Sequence, residues 1–146
     1  MSFASVQLED PFKITVEEIM NVVLVDDSLI VRERVANIIS EIPGVKVIGE
    51  AGNSFEAIEV VRKTKPDVVI LDIKMPGESG LQVLRKLRKE FEELKIIMLT
   101  NYPDSQYKAE CLMHGADYFL SKTDEFDKLP DVFSKLVKRH KSKFIK

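Results

Sequence analysis

The sequence predicts a single α/β domain: a doubly wound, five-stranded parallel sheet of order 2-1-3-4-5 with helices on both faces. Three observations carry this. Short apolar, β-branched runs alternate five times with segments of helical apolar spacing. The runs are apolar at consecutive positions, as strands covered on both faces are. The chain has 146 residues, which suits one core. Right-handed crossovers leave few windings, and 2-1-3-4-5 is the common one for five strands.

Residues 1–19 are weakly patterned and read as an N-terminal extension, with an alternative start at Met20. The domain is expected over residues 20–140, followed by a basic tail at 141–146. The first strand is Val22–Val25, stopped by Asp26-Asp27. Leu29, Ile30, Val35, Ile38 and Ile39 follow at helical spacing and end before Pro43-Gly44. Val45–Ile48 is the second strand. Asn53 or Ser54 caps a helix whose Phe55, Ile58 and Val61 share a face, ending near Pro66. Val68–Leu71 is the third strand, stopped by Asp72, with a turn at Met75-Pro76-Gly77. Leu81, Leu84, Leu87 and Phe91 mark the third helix. Ile96–Leu99 is the fourth strand, ending at Thr100. Asp104 opens a helix that closes at Gly115, a left-handed C-cap. Tyr118–Leu120 is the fifth strand, ending at Lys122, and Phe133, Leu136 and Val137 line the last helix.

Composition excludes several classes. A formal net charge of −2 gives no whole-chain footprint for nucleic acid or an anionic membrane. No apolar run is long enough to insert in a bilayer, and the N-terminus shows no secretory pattern. A lone cysteine, Cys111, excludes an intramolecular disulfide and reads as a packed apolar residue. A cytoplasmic location is the expectation. His114 reads as a helix C-terminal residue that favours the dipole.

The informative residues end the strands. In the 2-1-3-4-5 order, Asp26-Asp27, Asp72, Thr100 and Lys122 all fall on one edge of the sheet. Carboxylates brought together repel, and a hard divalent cation relieves this. Mg²⁺ (or Mn²⁺) suits oxygen ligands and keeps positions for phosphoryl oxygens; no His or Cys in the pattern favours Zn²⁺. A carboxylate is a competent nucleophile in phosphoryl transfer, with metal and lysine balancing the charge on the equatorial oxygens.

These residues resemble the response-regulator receiver domain of two-component signalling, in its stand-alone form. The strings that carry the resemblance are VLVDDS (Val23–Ser28), VVILDIKMPGESG (Val68–Gly80), IIMLT (Ile96–Thr100) and GADYFLSK (Gly115–Lys122). It extends from Asn21 to about His140. The resemblance implies that Asp72 is the phosphoacceptor. It implies a metal held at Asp26 and Asp27, with Asp27, Asp72 and the Lys74 backbone carbonyl as ligands. Lys122 would pair with the acceptor and then the phosphoryl group, and Thr100 would hydrogen-bond a phosphoryl oxygen. Tyr118 would be the aromatic that turns inward when Thr100 moves. Implied partners are a sensor histidine kinase or phosphotransfer protein, and a downstream protein on the face of the fourth helix, fifth strand and fifth helix, with a homodimer also compatible. The chain would catalyse only its own phosphorylation and dephosphorylation.

Three positions depart from the family pattern. Thr123 stands where a cis proline often follows the lysine, so a trans peptide is expected. Asn101 stands where a small residue usually follows the threonine. Lys74 lies two residues past the acceptor, within reach of the pocket. Asn101 and Lys74 are expected to tune phosphoryl lifetime. A haloacid-dehalogenase-like phosphatase is disfavoured, because the candidate nucleophile follows the third strand and Asp26-Asp27 are adjacent. A flavodoxin-like cofactor binder is disfavoured by the absence of a glycine-rich loop after the first strand. The intact acidic set argues against a degenerate receiver.

Overall fold

A computed structural model describes residues 15–101 and 104–143. Most of the expected extension, and residues 144–146 of the expected tail, lie outside the described residues. After a 3-10 turn at Val16–Glu18, strands and helices alternate: β1 (Met20–Val25), α1 (Leu29–Ser40), β2 (Val45–Ala51), α2 (Ser54–Thr64), β3 (Val68–Leu71), α3 (Gly80–Glu90), β4 (Lys95–Thr100), α4 (Ser105–Met113), β5 (Tyr118–Ser121) and α5 (Leu129–Ser142). The sheet is parallel throughout, in the order β2-β1-β3-β4-β5.

Side chains alternate across the sheet, so each strand feeds two cores. Val23, Val25, Val69, Leu71, Ile96, Met98 and Phe119 pack under α2, α3 and α4. Val22, Leu24, Val68, Ile70, Ile97, Leu99 and Leu120 pack under α1 and α5. Each large apolar side chain buried this way contributes about 1.5–3 kcal/mol. Four helices begin at side-chain caps. Ser28 accepts from Val31 N, Asn53 from Glu56 N, Ser79 from Gln82 N and Asp104 from Gln106 N. Gly115 closes α4 with φ +100°, a left-handed conformation open to glycine.

Some expectations change. β2 runs on to Ala51, and Thr100 and Ser121 belong to their strands. α5 continues past residue 140 through Lys141 and Ser142, so the expected tail begins inside the helix. Helical spacing over-assigned two apolar faces. Val35 and Ile39 are buried on α1, but Leu29 and Ile30 are 56% and 78% exposed. On α2 the buried apolar positions are Ala57 and Val61, while Phe55 is 76% exposed. All three exposed residues sit in the first turns of their helices.

Candidate phosphoryl and metal site

The chain leaves β1, β3 and β5 at the same edge, so three side chains 45 or more positions apart meet there. Asp26 follows β1, Asp72 follows β3 and Lys122 follows β5. All three are buried, at 5%, 6% and 7% exposure. Lys122 Nζ forms ion pairs with both carboxylates: with Asp26 Oδ2, and with Asp72 Oδ2 at 3.1 Å. Backbone amides hold the other oxygens. Ser28 N donates to Asp26 Oδ1 at 2.8 Å, and Ile73 N donates to Asp72 Oδ1 at 2.7 Å. Each carboxylate is therefore aimed from two sides.

Asp27 is exposed at the rim, and one oxygen from each of Asp26, Asp27 and Asp72 falls within 4.8 Å of the others. Three clustered carboxylates are a ligand set that a divalent, oxygen-seeking cation fits. Burial pushes the Asp72 carboxyl above its ordinary range; Lys122 opposes this and the Asp26 charge adds to it. Burial works to lower the Lys122 pKa, but its bonds to Asp26 and Asp72 outweigh burial and raise it. The lysine is thus held as an ammonium.

Thr100 is fully buried at the end of β4, and its carbonyl accepts from Lys122 N at 2.7 Å. Threonine and lysine are therefore joined through the backbone. Lys74 and Asn101 are exposed just past β3 and β4. The Lys122–Thr123 peptide is trans, as expected from the missing proline.

Tyr118 requires a correction. In the β4–β5 register Tyr118 pairs with Ile97, and both lie on the α1/α5 side. Thr100 alternates with Met98 onto the other side, where Phe119 is buried opposite Met98. The aromatic that shares a sheet face with Thr100 is Phe119.

Sequence reasoning also missed residues that shape the site. Gly80 packs on the Asp72–Ile73 backbone: its N–H donates to Ile73 O at 2.5 Å, and a Cβ there would stand 1.9 Å from the Asp72 carbonyl oxygen. Ser54 is buried and accepts from Glu78 N at 2.8 Å, tying the start of α2 to the loop after Asp72. Arg32 donates to the Asp26 carbonyl and pairs with Glu50 at 2.9 Å. The glycine after the turn was a visible signal; the serine and arginine carried none.

Comparison with known proteins agrees with this geometry. A sequence profile of the response regulator receiver domain matches residues 22–134. Response regulator UvrY of Escherichia coli K12 is 40% identical over 103 residues, covering 70% of this chain and 47% of that protein. The response regulator domain of Thermotoga maritima CheB superposes with a TM-score of 0.73 at 28% identity, over 84% of this chain and 96% of that one. A chain of the CheX-CheY-BeF3-Mg+2 complex from Borrelia burgdorferi gives a TM-score of 0.69 at 27% identity, over 87% and 90%. The chain spans about half the length of the curated relatives it matches.

Proposed function

The chain belongs to the response regulator receiver family, and on that premise we propose that it accepts a phosphoryl group on Asp72 from the phosphohistidine of a sensor histidine kinase or phosphotransfer protein. The observation that carries this reading is Lys122 Nζ bridging Asp26 and Asp72, with Asp27 completing an acidic cluster beside them. A carboxylate oxygen of Asp72 attacks phosphorus, the phosphorus–nitrogen bond of the donor breaks, and the imidazole leaves. Ile73 N holds the second Asp72 oxygen, which leaves the first to react. Lys122 offsets the charge that develops on the phosphoryl oxygens. Thr100 donates its hydroxyl to one of them.

Asp26, Asp27, Asp72 and the Lys74 carbonyl would hold Mg²⁺, or Mn²⁺ in its place. The cation would supply Lewis-acid stabilisation of the transferring group. The Borrelia complex contains Mg²⁺ and BeF3 by its own description, and a match of this quality supports the same chemistry here. Lys74 and Asn101, exposed at the rim, tune how long the phosphoryl group lasts.

The switch couples Thr100 to Phe119 across one sheet face, biasing the surface of α4, β5 and α5 toward a downstream protein or a second copy of the chain. This chain makes no direct nucleic-acid contact in this reading and acts in the cytoplasm. No helix among the described residues is long and apolar enough to cross a membrane. It is a signalling protein whose only chemistry is gain and loss of its own phosphoryl group.

Intact mass after incubation with acetyl phosphate tests the proposal. Wild type gains one phosphoryl unit with Mg²⁺ and none with EDTA, and Asp72→Asn gains none. Equal uptake by Asp72→Asn would overturn the assignment.

A further inference from the structure

A lysine side chain is long and flexible, so a buried ammonium must be aimed by its backbone. Lys122 is the first residue past β5, an edge strand. The outward N–H of an edge strand has no ladder partner. The next residues, Thr123 and Asp124, are exposed. Yet both backbone polar groups of Ser121 are taken by Glu125. Ser121 N donates to Glu125 Oε1 at 2.9 Å, and Glu125 N donates to Ser121 O at 2.9 Å. Thr123 closes the other side: its N–H donates to Ser121 Oγ at 3.2 Å, and the two hydroxyls lie 2.7 Å apart. Lys128 Nζ holds the second Glu125 oxygen at 2.6 Å.

Glu125 occupies the N-cap position of the 3-10 turn Phe126–Lys128, but its side chain does not cap that turn. The carboxylate turns back to the strand instead. Cap duty therefore does not account for it. Glu125 fastens Ser121, the residue before Lys122, and Thr123, the residue after it, is bonded to the same serine. Where relatives of this family often carry proline, a polar clasp fixes the turn.

We propose that Glu125 and Thr123 are positioning residues for Lys122, forming a clasp across the β5–α5 turn that holds the ammonium against Asp26 and Asp72. The clasp rests on the phosphoacceptor reading only for its effect on phosphoryl transfer. Its effect on the carboxylates is independent of that reading. An ammonium held in place competes with a cation for Asp26 and Asp72. A loosened one competes less and stabilises the transferring group less. Loss of the clasp therefore moves metal affinity and transfer rate in opposite directions, which mere loss of turn stability does not.

The test uses the full chain and two readouts: Mg²⁺ titration followed at the Ser28 and Ile73 amides by NMR, and phosphoryl uptake from acetyl phosphate at saturating Mg²⁺. Glu125→Ala is expected to tighten Mg²⁺ binding by about three- to ten-fold and to slow uptake by about ten-fold. Glu125→Gln keeps an acceptor for Ser121 N and restores both to near wild type. Thr123→Val, a mild change in an exposed turn, shifts both the same way by smaller factors and covers a failure of Glu125→Ala to fold. In a Lys122→Ala background, Glu125→Ala changes neither. Unchanged Mg²⁺ affinity in both folded single variants, or an equal effect without Lys122, overturns the clasp. A wild type that binds Mg²⁺ yet takes up no phosphoryl group overturns the phosphoacceptor reading instead, and the Mg²⁺ arm still judges the clasp.

Discussion

Gly80 shows how tightly single residues constrain the backbone at Asp72. A methyl group at this position meets the Asp72 carbonyl oxygen, and backbone cannot rotate away as a side chain does. Gly80→Ala is expected to cost about 3 kcal/mol, at the upper end for overpacking, measured by urea unfolding. A loss under about 0.5 kcal/mol, the size of an ordinary surface change, would show that the loop yields freely. Cys111 makes the opposite point, a reactive group kept inert. It is 1% exposed, and burial, aided by the Glu110 charge, pushes its thiol up to about 11. The folded chain keeps this proton after the unfolded chain has released it. Stability is therefore full below the ordinary thiol value of 9.0 and declines as pH rises from there toward 11. Alkylation at pH 8 should be slow in the native protein and rapid in denaturant; fast native alkylation would contradict the burial.

The elements differ in how firmly they are attached. α3 buries Gly80, Val83, Leu84 and Leu87, whereas α4 buries only Cys111, and Leu112 and Met113 are exposed. A helix with so little apolar anchorage opens at lower free energy. Hydrogen exchange should show α4 amides less protected than those of α3, and equal protection would contradict the weaker attachment of α4. The same contrast explains what was legible beforehand. Strands buried on both faces announce themselves by unbroken runs such as Val68–Leu71, and helix starts by Asn53 and Asp104. Faces are harder to read. Leu29, Ile30 and Phe55 match helical spacing but are exposed in first turns. Tyr118 and Phe119 are adjacent aromatics that only strand register separates.

At the scale of the whole molecule, one topological fact organises the site. Parallel strands in the order β2-β1-β3-β4-β5 deliver Asp26, Asp72, Thr100 and Lys122 to one edge. That convergence was legible because strand-end polar residues interrupt apolar runs and the winding fixes which ends are neighbours. The clasp at Ser121, Thr123 and Glu125 was not, because it depends on where a glutamate side chain turns in a connection with no regular period. The central claim is that Asp72 is the covalent, metal-dependent phosphoacceptor. Borohydride reduction of an acyl phosphate leaves homoserine at the modified aspartate. The most direct measurement is therefore peptide mapping after treatment with acetyl phosphate and then borohydride, with Mg²⁺ and with EDTA. Homoserine at position 72 with Mg²⁺ alone is the predicted result. Homoserine at Asp26 or Asp27, or at none of the three, would contradict the account.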